Sequence, residues 1–138
     1  MAEQQIPATA LVTGSALRLG RAIALDLAKR GWRVGVHHHN SSVEADALVA
    51  EIERLGAKAI ALKADFTREY LVRGLVQSCA EALGVPTCLI NNAARFELDS
   101  IDTLDWAGWQ AELDVNLRAP IFLTKPSRER CPRTRLDA

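Results

Sequence analysis

The stretch Ala10-Leu11-Val12-Thr13-Gly14-Ser15-Ala16-Leu17-Arg18-Leu19-Gly20-Arg21-Ala22 limits the folds open to this chain more than any other. A short apolar run ends in Thr-Gly, small residues follow, and a helical pattern opens at Leu19-Gly20. Strand, glycine turn and helix in that order form the phosphate-binding corner of a dinucleotide-binding βαβ unit. Gly14 permits the tight turn, and Gly20 lets the helix lie close to the strand. The N–H groups of the helix start, at the positive end of its dipole, would face a pyrophosphate. Arg18 stands where the usual fingerprint has its middle glycine.

The rest of the chain alternates strand and helix. Continuously apolar residues 8–13 predict a first strand buried on both faces. Residues 19–30 predict a helix closed by Gly31, and residues 32–38 a second strand. Ser41 and Glu44 fit a capping box, opening a helix that runs to Leu55 and stops at Gly56. A third strand covers residues 59–63. A third helix follows over 67–83, with Val72, Leu75, Val76, Cys79 and Leu83 on one face and Gly84 as its stop. Residues 88–91 make a fourth strand. A last helix starts near Leu104 or Trp106 and reaches Lys125, interrupted by Pro120. Helix-length crossovers with short connections demand a parallel sheet, and right-handed crossovers give the order 3-2-1-4. This is the first part of a Rossmann-like doubly wound α/β fold, carried by residues 1–125. Residues 126–138 hold four arginines and two prolines without helical periodicity. They read as a chain cut short or read out of frame after the fourth strand and its helix, with a solvated tail as the alternative.

Composition narrows the function classes. The 138 residues carry 17 Lys+Arg and 17 Asp+Glu, so zero formal charge offers no argument for a nucleic-acid or membrane partner. No apolar run reaches membrane-spanning length, and the first residues lack a signal-peptide pattern. Cys79, Cys88 and Cys131 are scattered and odd in number, which fits reduced thiols in the cytoplasm rather than a disulfide framework.

Three places carry chemistry. The second strand ends in His37-His38-His39-Asn40-Ser41, with no carboxylate before Glu44. A cofactor with a free ribose needs an acidic residue there, whereas a 2′-phosphate wants hydroxyl, amide and imidazole donors. Arg18 adds a positive charge near the phosphates, so NADP(H) is preferred to NAD(H). A metal site is the competing use of three histidines. His37 and His39 share one face of a strand while His38 points away, so the three do not converge, and no metal is expected. Asn91 and Asn92 close an apolar strand and need hydrogen-bond partners, which marks a polar site. Asp65 ends the third strand, either as a cap for the next helix or as a ligand group. Leu104, Trp106 and Trp109 read as core by default, with a substrate cleft or helix interface as the alternative.

Taken together, Thr13-Gly14-x-x-x-Arg18-Leu19-Gly20, then Asn91-Asn92-Ala93-Ala94, then Asn116 in Asp114-Val115-Asn116-Leu117, resemble the short-chain dehydrogenase/reductases. Arg18-Leu19-Gly20 with His37-His38-His39-Asn40-Ser41 looks more like the pteridine reductase branch. The resemblance spans roughly residues 6–125. It implies that Asp65 and Phe66 meet the adenine, that Asn92, Ala93 and Ala94 run along the ribose and nicotinamide, and that Phe96 and Arg18 face a pterin ring. It also implies that the Asn116 carbonyl holds a water in a catalytic proton relay, and that the full-length parent is a homo-oligomer. The family's Tyr-x-x-x-Lys does not occur: the one tyrosine, Tyr70, precedes Gly74 at the lysine position. The implied parent is an NADPH-dependent oxidoreductase for a pterin or carbonyl compound. The alternatives for these 138 residues are a non-catalytic nucleotide-binding fragment, an inert truncated product, or a half that binds a partner through its open sheet edge.

Overall fold

Apolar and β-branched residues form β1 (Thr9–Val12), and all four are buried, as a strand covered on both faces requires. The computed structural model describes residues 8–130. Around β1 lie β2 (Arg33–His38), β3 (Ala59–Lys63) and β4 (Cys88–Ile90), all parallel, in the order β3-β2-β1-β4. The expected order is observed. Val12 is level with Val36 on one side and with Ile90 on the other. That register brings the C-terminal ends of β1, β2 and β4 to one height. The direction of winding reverses between β1 and β4, where such sheets open a crevice.

Each face of the sheet buries its own core. On one face α1 (Arg18–Lys29) and α2 (Ser42–Arg54) bring Ala24, Ala28, Ala45, Leu48 and Ile52 against Val12, Val34 and Val36. On the other, α3 (Glu69–Leu83) packs Val72, Leu75, Val76, Cys79 and Leu83 onto Leu11 and Leu62. These five α3 residues are the face anticipated from their spacing. Ala119 and Leu123 of α5 (Ala119–Arg130) complete that second core. The helices end where expected, with Gly31, Gly56 and Gly84 at φ of +83°, +86° and +93°.

Several local expectations are corrected. Ser41 is the N-cap of α2, but its side chain makes no capping bond. Its backbone (φ −87°, ψ 58°) lies outside the extended region in which a capping hydroxyl reaches the next turn. Helix α3 starts two residues later than expected because the Thr67 N–H and hydroxyl both donate to Asp65 Oδ1 (2.9 and 2.8 Å). Pro120 does not interrupt the last helix. Helix α4 (Trp106–Leu113) continues through a π-helical turn (Asp114–Arg118) into α5, the Ala119 N–H reaching back to the Asp114 carbonyl. Widening the helix here relieves the clash that a proline ring makes with the preceding turn. Helix α5 also runs past Lys125 with Pro126 inside it, so residues 126–130 are helical rather than irregular. The remaining tail, 131–138, lies outside the described residues. Trp106 and Trp109 are not core: they are exposed and pack on each other at 6.2 Å.

Leu123 is fully buried between α3 and the sheet, whereas Leu98 is 92% exposed. Leu123→Ala is expected to cost about 2–5 kcal/mol of unfolding free energy. Leu98→Ala should stay within about 0.5 kcal/mol. Chemical denaturation of both variants beside the native chain checks the ranking.

Candidate functional site

The glycine turn is built by contacts a side chain would destroy. Gly14 has φ +60°, and a Cβ on it would lie 2.8 Å from Ala93 Cα. A Cβ on Gly20 would lie 2.5 Å from the Gly14 carbonyl oxygen and 2.6 Å from Asn92 Nδ2. The first turn of α1 therefore sits directly on the β1 turn and on Asn92, the second residue after β4. Arg18 occupies the position usually given to glycine at φ +52°, a left-handed conformation that costs a non-glycine residue about 1–2 kcal/mol.

Asn92 and Thr13 tie this corner together. Asn92 Nδ2 donates to the carbonyls of Thr13 (2.9 Å) and Gly14 (3.0 Å). The Thr13 hydroxyl accepts the N–H groups of Asn92 (2.9 Å) and Ala93 (3.0 Å). Thr13 was legible only as the end of a strand. Its role as a hub depends on residues about 80 positions away in the chain. Asn91, by contrast, is exposed and holds nothing in place among the described contacts.

The first intrahelical bond of α1 runs from the Arg21 N–H to the Leu17 carbonyl, and no side chain caps the helix. The N–H groups of Arg18, Leu19 and Gly20 are thus without intrahelical acceptors, and these three residues line a cleft of about 630 Å³. Gly14, Arg18, Leu19 and Gly20 line it at one corner, and Asn92, Ala93, Ala94 and Phe96 along one wall. His37, which is bonded to Gly14, lines it as well, together with His38, His39, Ser41, Asp65 and Phe66. Asn40 and Asn116 are not among the lining residues, and Arg95, Glu97, Thr67 and Val115 are lining residues that sequence reasoning missed.

The three histidines differ. His37 is buried, with Nδ1 accepting the Gly14 N–H (3.0 Å), Nε2 against the Ala64 carbonyl (3.0 Å), and its ring stacked on Phe66 at 4.2 Å. Burial lowers its pKa to about 4, assisted by the neighbouring His38 and His39 and opposed by the Ala64 bond. Both nitrogens are engaged within the protein, so this imidazole is not available as the 2′-phosphate donor anticipated for it. His38 is also buried, its pKa lowered first by burial, and its Nδ1 lacks any hydrogen-bond partner. His39 is half exposed, with Nε2 3.7 Å from Asp65 Oδ2. Burial pushes the Asp65 carboxyl up, but the Thr67 hydrogen bonds, His39 and Arg68 together bring it below its ordinary value. Among the described residues no cluster of His, Cys, Asp and Glu could hold a metal.

Asn116 sits in the π-helical turn and clamps Arg95 at two points. Its Oδ1 accepts the Arg95 N–H (2.8 Å) and its Nδ2 donates to the Arg95 carbonyl (2.7 Å). It thereby fixes the rim next to Phe96, which is 81% exposed at the cleft and so is not a packing residue. Tyr70 is exposed on α3 and does not line the cleft.

Strand order, glycine turn and switch-point cleft define a Rossmann-like α/β unit, and the comparisons place it more narrowly. The family model for short chain dehydrogenase matches residues 8–129, so the chain belongs to that family. It is 36% identical over 116 residues to a 3-oxoacyl-[acyl-carrier-protein] reductase of Synechocystis sp., covering 84% of this chain and 47% of that protein. Among solved structures it resembles a short chain dehydrogenase from Burkholderia cenocepacia in complex with NADP (TM-score 0.89, 38% identity, 93% of this chain and 53% of that one). It also resembles FolM alternative dihydrofolate reductase 1 from Brucella suis in complex with NADP (TM-score 0.86, 36% identity, 91% and 52%). The chain spans about half the length of the curated relatives it matches. Among the described residues no helix is long and apolar enough to cross a membrane.

His37 makes stability depend on pH. Its folded pKa (about 4) lies below the ordinary 6.5, so the unfolded chain binds more protons between these values. The stabilisation is fully present above pH 6.5 and is lost as pH falls towards 4. The stability difference between the native chain and His37→Leu should therefore shrink by on the order of 3 kcal/mol across that window. Urea titrations at a series of pH values measure it; a difference independent of pH would contradict the neutral buried ring.

Proposed function

We propose that this chain forms the NADP(H)-binding half of a short-chain oxidoreductase that reduces a pterin or carbonyl substrate. The observation that carries the reading is the end of β2, which opens on the cleft with His39 and Ser41. The acidic residues lining the cleft are Asp65 and Glu97, and Asp65 is already engaged by Thr67. A 2′-phosphate thus meets donors where a free ribose would want a carboxylate. The free N–H groups of α1 and the charge of Arg18 take the pyrophosphate. Asp65 and Phe66 meet the adenine, and Asn92, Ala93 and Ala94 let the backbone approach the nicotinamide ribose. The bound dinucleotide supplies the hydride, and these residues hold and orient it. NADP in the related structures supports this choice of cofactor.

The substrate class rests on Phe96. Exposed at the cleft and with its backbone neighbour clamped by Asn116, its ring suits stacking on a flat heteroaromatic compound such as a pterin. The similarity to an alternative dihydrofolate reductase favours the same class, and that to a 3-oxoacyl reductase favours a carbonyl. The family's tyrosine proton donor has no counterpart among the residues lining the cleft, since the chain's one tyrosine lies on α3.

NADPH is expected to bind the chain at least about tenfold more tightly than NADH, a difference of roughly 1.4 kcal/mol. His39→Asp, which sets a carboxylate beside the 2′ position, should reverse the order. Fluorescence titration of both nucleotides tests this, and equal affinities in the native chain would defeat the reading. The chain by itself is expected to oxidise no NADPH with carbonyl or pterin compounds. Turnover abolished by Tyr70→Phe would instead place a proton donor on α3.

A further inference from the structure

We propose that His37 is a positioning residue whose imidazole fixes the phosphate-binding turn to the end of β3, and so sets affinity for the part of the cofactor common to NADPH and NADH. The inference rests on the dinucleotide reading above. It assigns His37 a different role from a contact with the 2′-phosphate.

The tautomer is dictated by the partners. A backbone N–H only donates, so Nδ1, 3.0 Å from the Gly14 nitrogen, carries the lone pair. A backbone carbonyl only accepts, so Nε2, 3.0 Å from the Ala64 oxygen, carries the proton. A second proton would confront the Gly14 N–H directly. The His37 carbonyl also accepts the Ser15 N–H at 2.9 Å. Two successive N–H groups of the turn therefore end on one residue, and the phosphates are left to the following N–H groups of α1.

The other side of the same peptide is held as firmly. Asn92 Nδ2 donates to the Gly14 carbonyl, while Gly14 itself rests against Ala93. The ring of His37 lies parallel to that of Phe66, with an interplanar angle of 6°. One imidazole thus connects the pyrophosphate corner to the adenine end of the cleft. The titratable groups around it are His38 and His39 on its own strand and Asp65 at the end of β3, which faces His39.

Two variants separate the roles. His37→Asn keeps an acceptor near the Nδ1 position, and His37→Leu removes both hydrogen bonds. NADPH and NADH dissociation constants are measured on the full 138-residue chain and on both variants, with thermal melts to register folding. The expected result is that His37→Leu weakens both nucleotides about tenfold with their ratio unchanged, and that His37→Asn recovers much of the loss. Loss confined to NADPH would make His37 a 2′-phosphate ligand, and no change in either would make it passive packing; both overturn the proposal. Long-range ¹H–¹⁵N spectra of the native chain supply a readout that needs no nucleotide. A protonated Nε2 with a titration midpoint near 4 supports the strut, and a protonated Nδ1 or a midpoint near 6.5 overturns it. If the native chain binds neither nucleotide, the cofactor reading fails and the affinity role of His37 falls with it. The spectra then still report whether the strut exists. Should His37→Leu fail to fold, the asparagine variant and the spectra decide.

Discussion

Everything at the cleft depends on how closely the start of α1 can approach the ends of β1 and β4. That approach is set at Gly20, where a single added methyl group would collide with the Gly14 carbonyl, the Asn92 amide and Ser15 Cα at 2.5–2.7 Å. These are backbone atoms or a side chain already committed to two hydrogen bonds, so none can give way cheaply. With the helix so close, its unpaired N–H groups line the crevice at the point where the winding reverses. Moved outward by the width of a side chain, they would meet water instead.

The periodic part of this architecture was plain in the sequence because each decision was local. The apolar face of α3, the bounds of β3 and the three glycine stops follow from spacing and from single residues with positive φ. The strand order follows from crossover handedness. The features that were misjudged depend on what lies across the fold. Ser41 has the composition of a capping box, but the backbone leaving β2 sets its conformation. Pro126 reads as a helix breaker, yet α5 passes through it while Leu123 is anchored in the core. The two tryptophans read as core because large aromatics usually are, and here neighbouring elements leave them exposed.

The same division runs through the candidate site. Gly14, Arg18, Leu19 and Gly20 could be placed from one contiguous stretch, and all four line the cleft. The three consecutive histidines could be placed but not distinguished, since alternation along a strand gives direction and not partners. His37 meets Gly14, Ala64 and Phe66, three residues from two other segments, and that set of neighbours converts a prospective ligand into a strut. Thr13 shows the converse. Its hydroxyl organises the residues after β4, although nothing next to it in the chain announces an acceptor for two N–H groups.

Asn116 joins the substrate side of the cleft to the helix that frames it, and Pro120 determines how. In a regular α-helix the Asn116 carbonyl would accept the N–H of residue 120, but proline has none. The helix answers with the π-helical turn just before, in which the Ala119 N–H returns to Asp114. Asp114, buried and bound by Gln110 and Arg118, anchors that turn. The two ends of one residue thereby acquire separate fates. The Asn116 amide is spent on both backbone groups of Arg95 and holds the rim that carries Phe96. Its carbonyl is left without an α-helical donor, which is the condition under which a backbone oxygen can take a water or another donor from outside the helix. A proline four residues beyond an asparagine, read at first as a break in a helix, is therefore better understood as what sets that carbonyl apart.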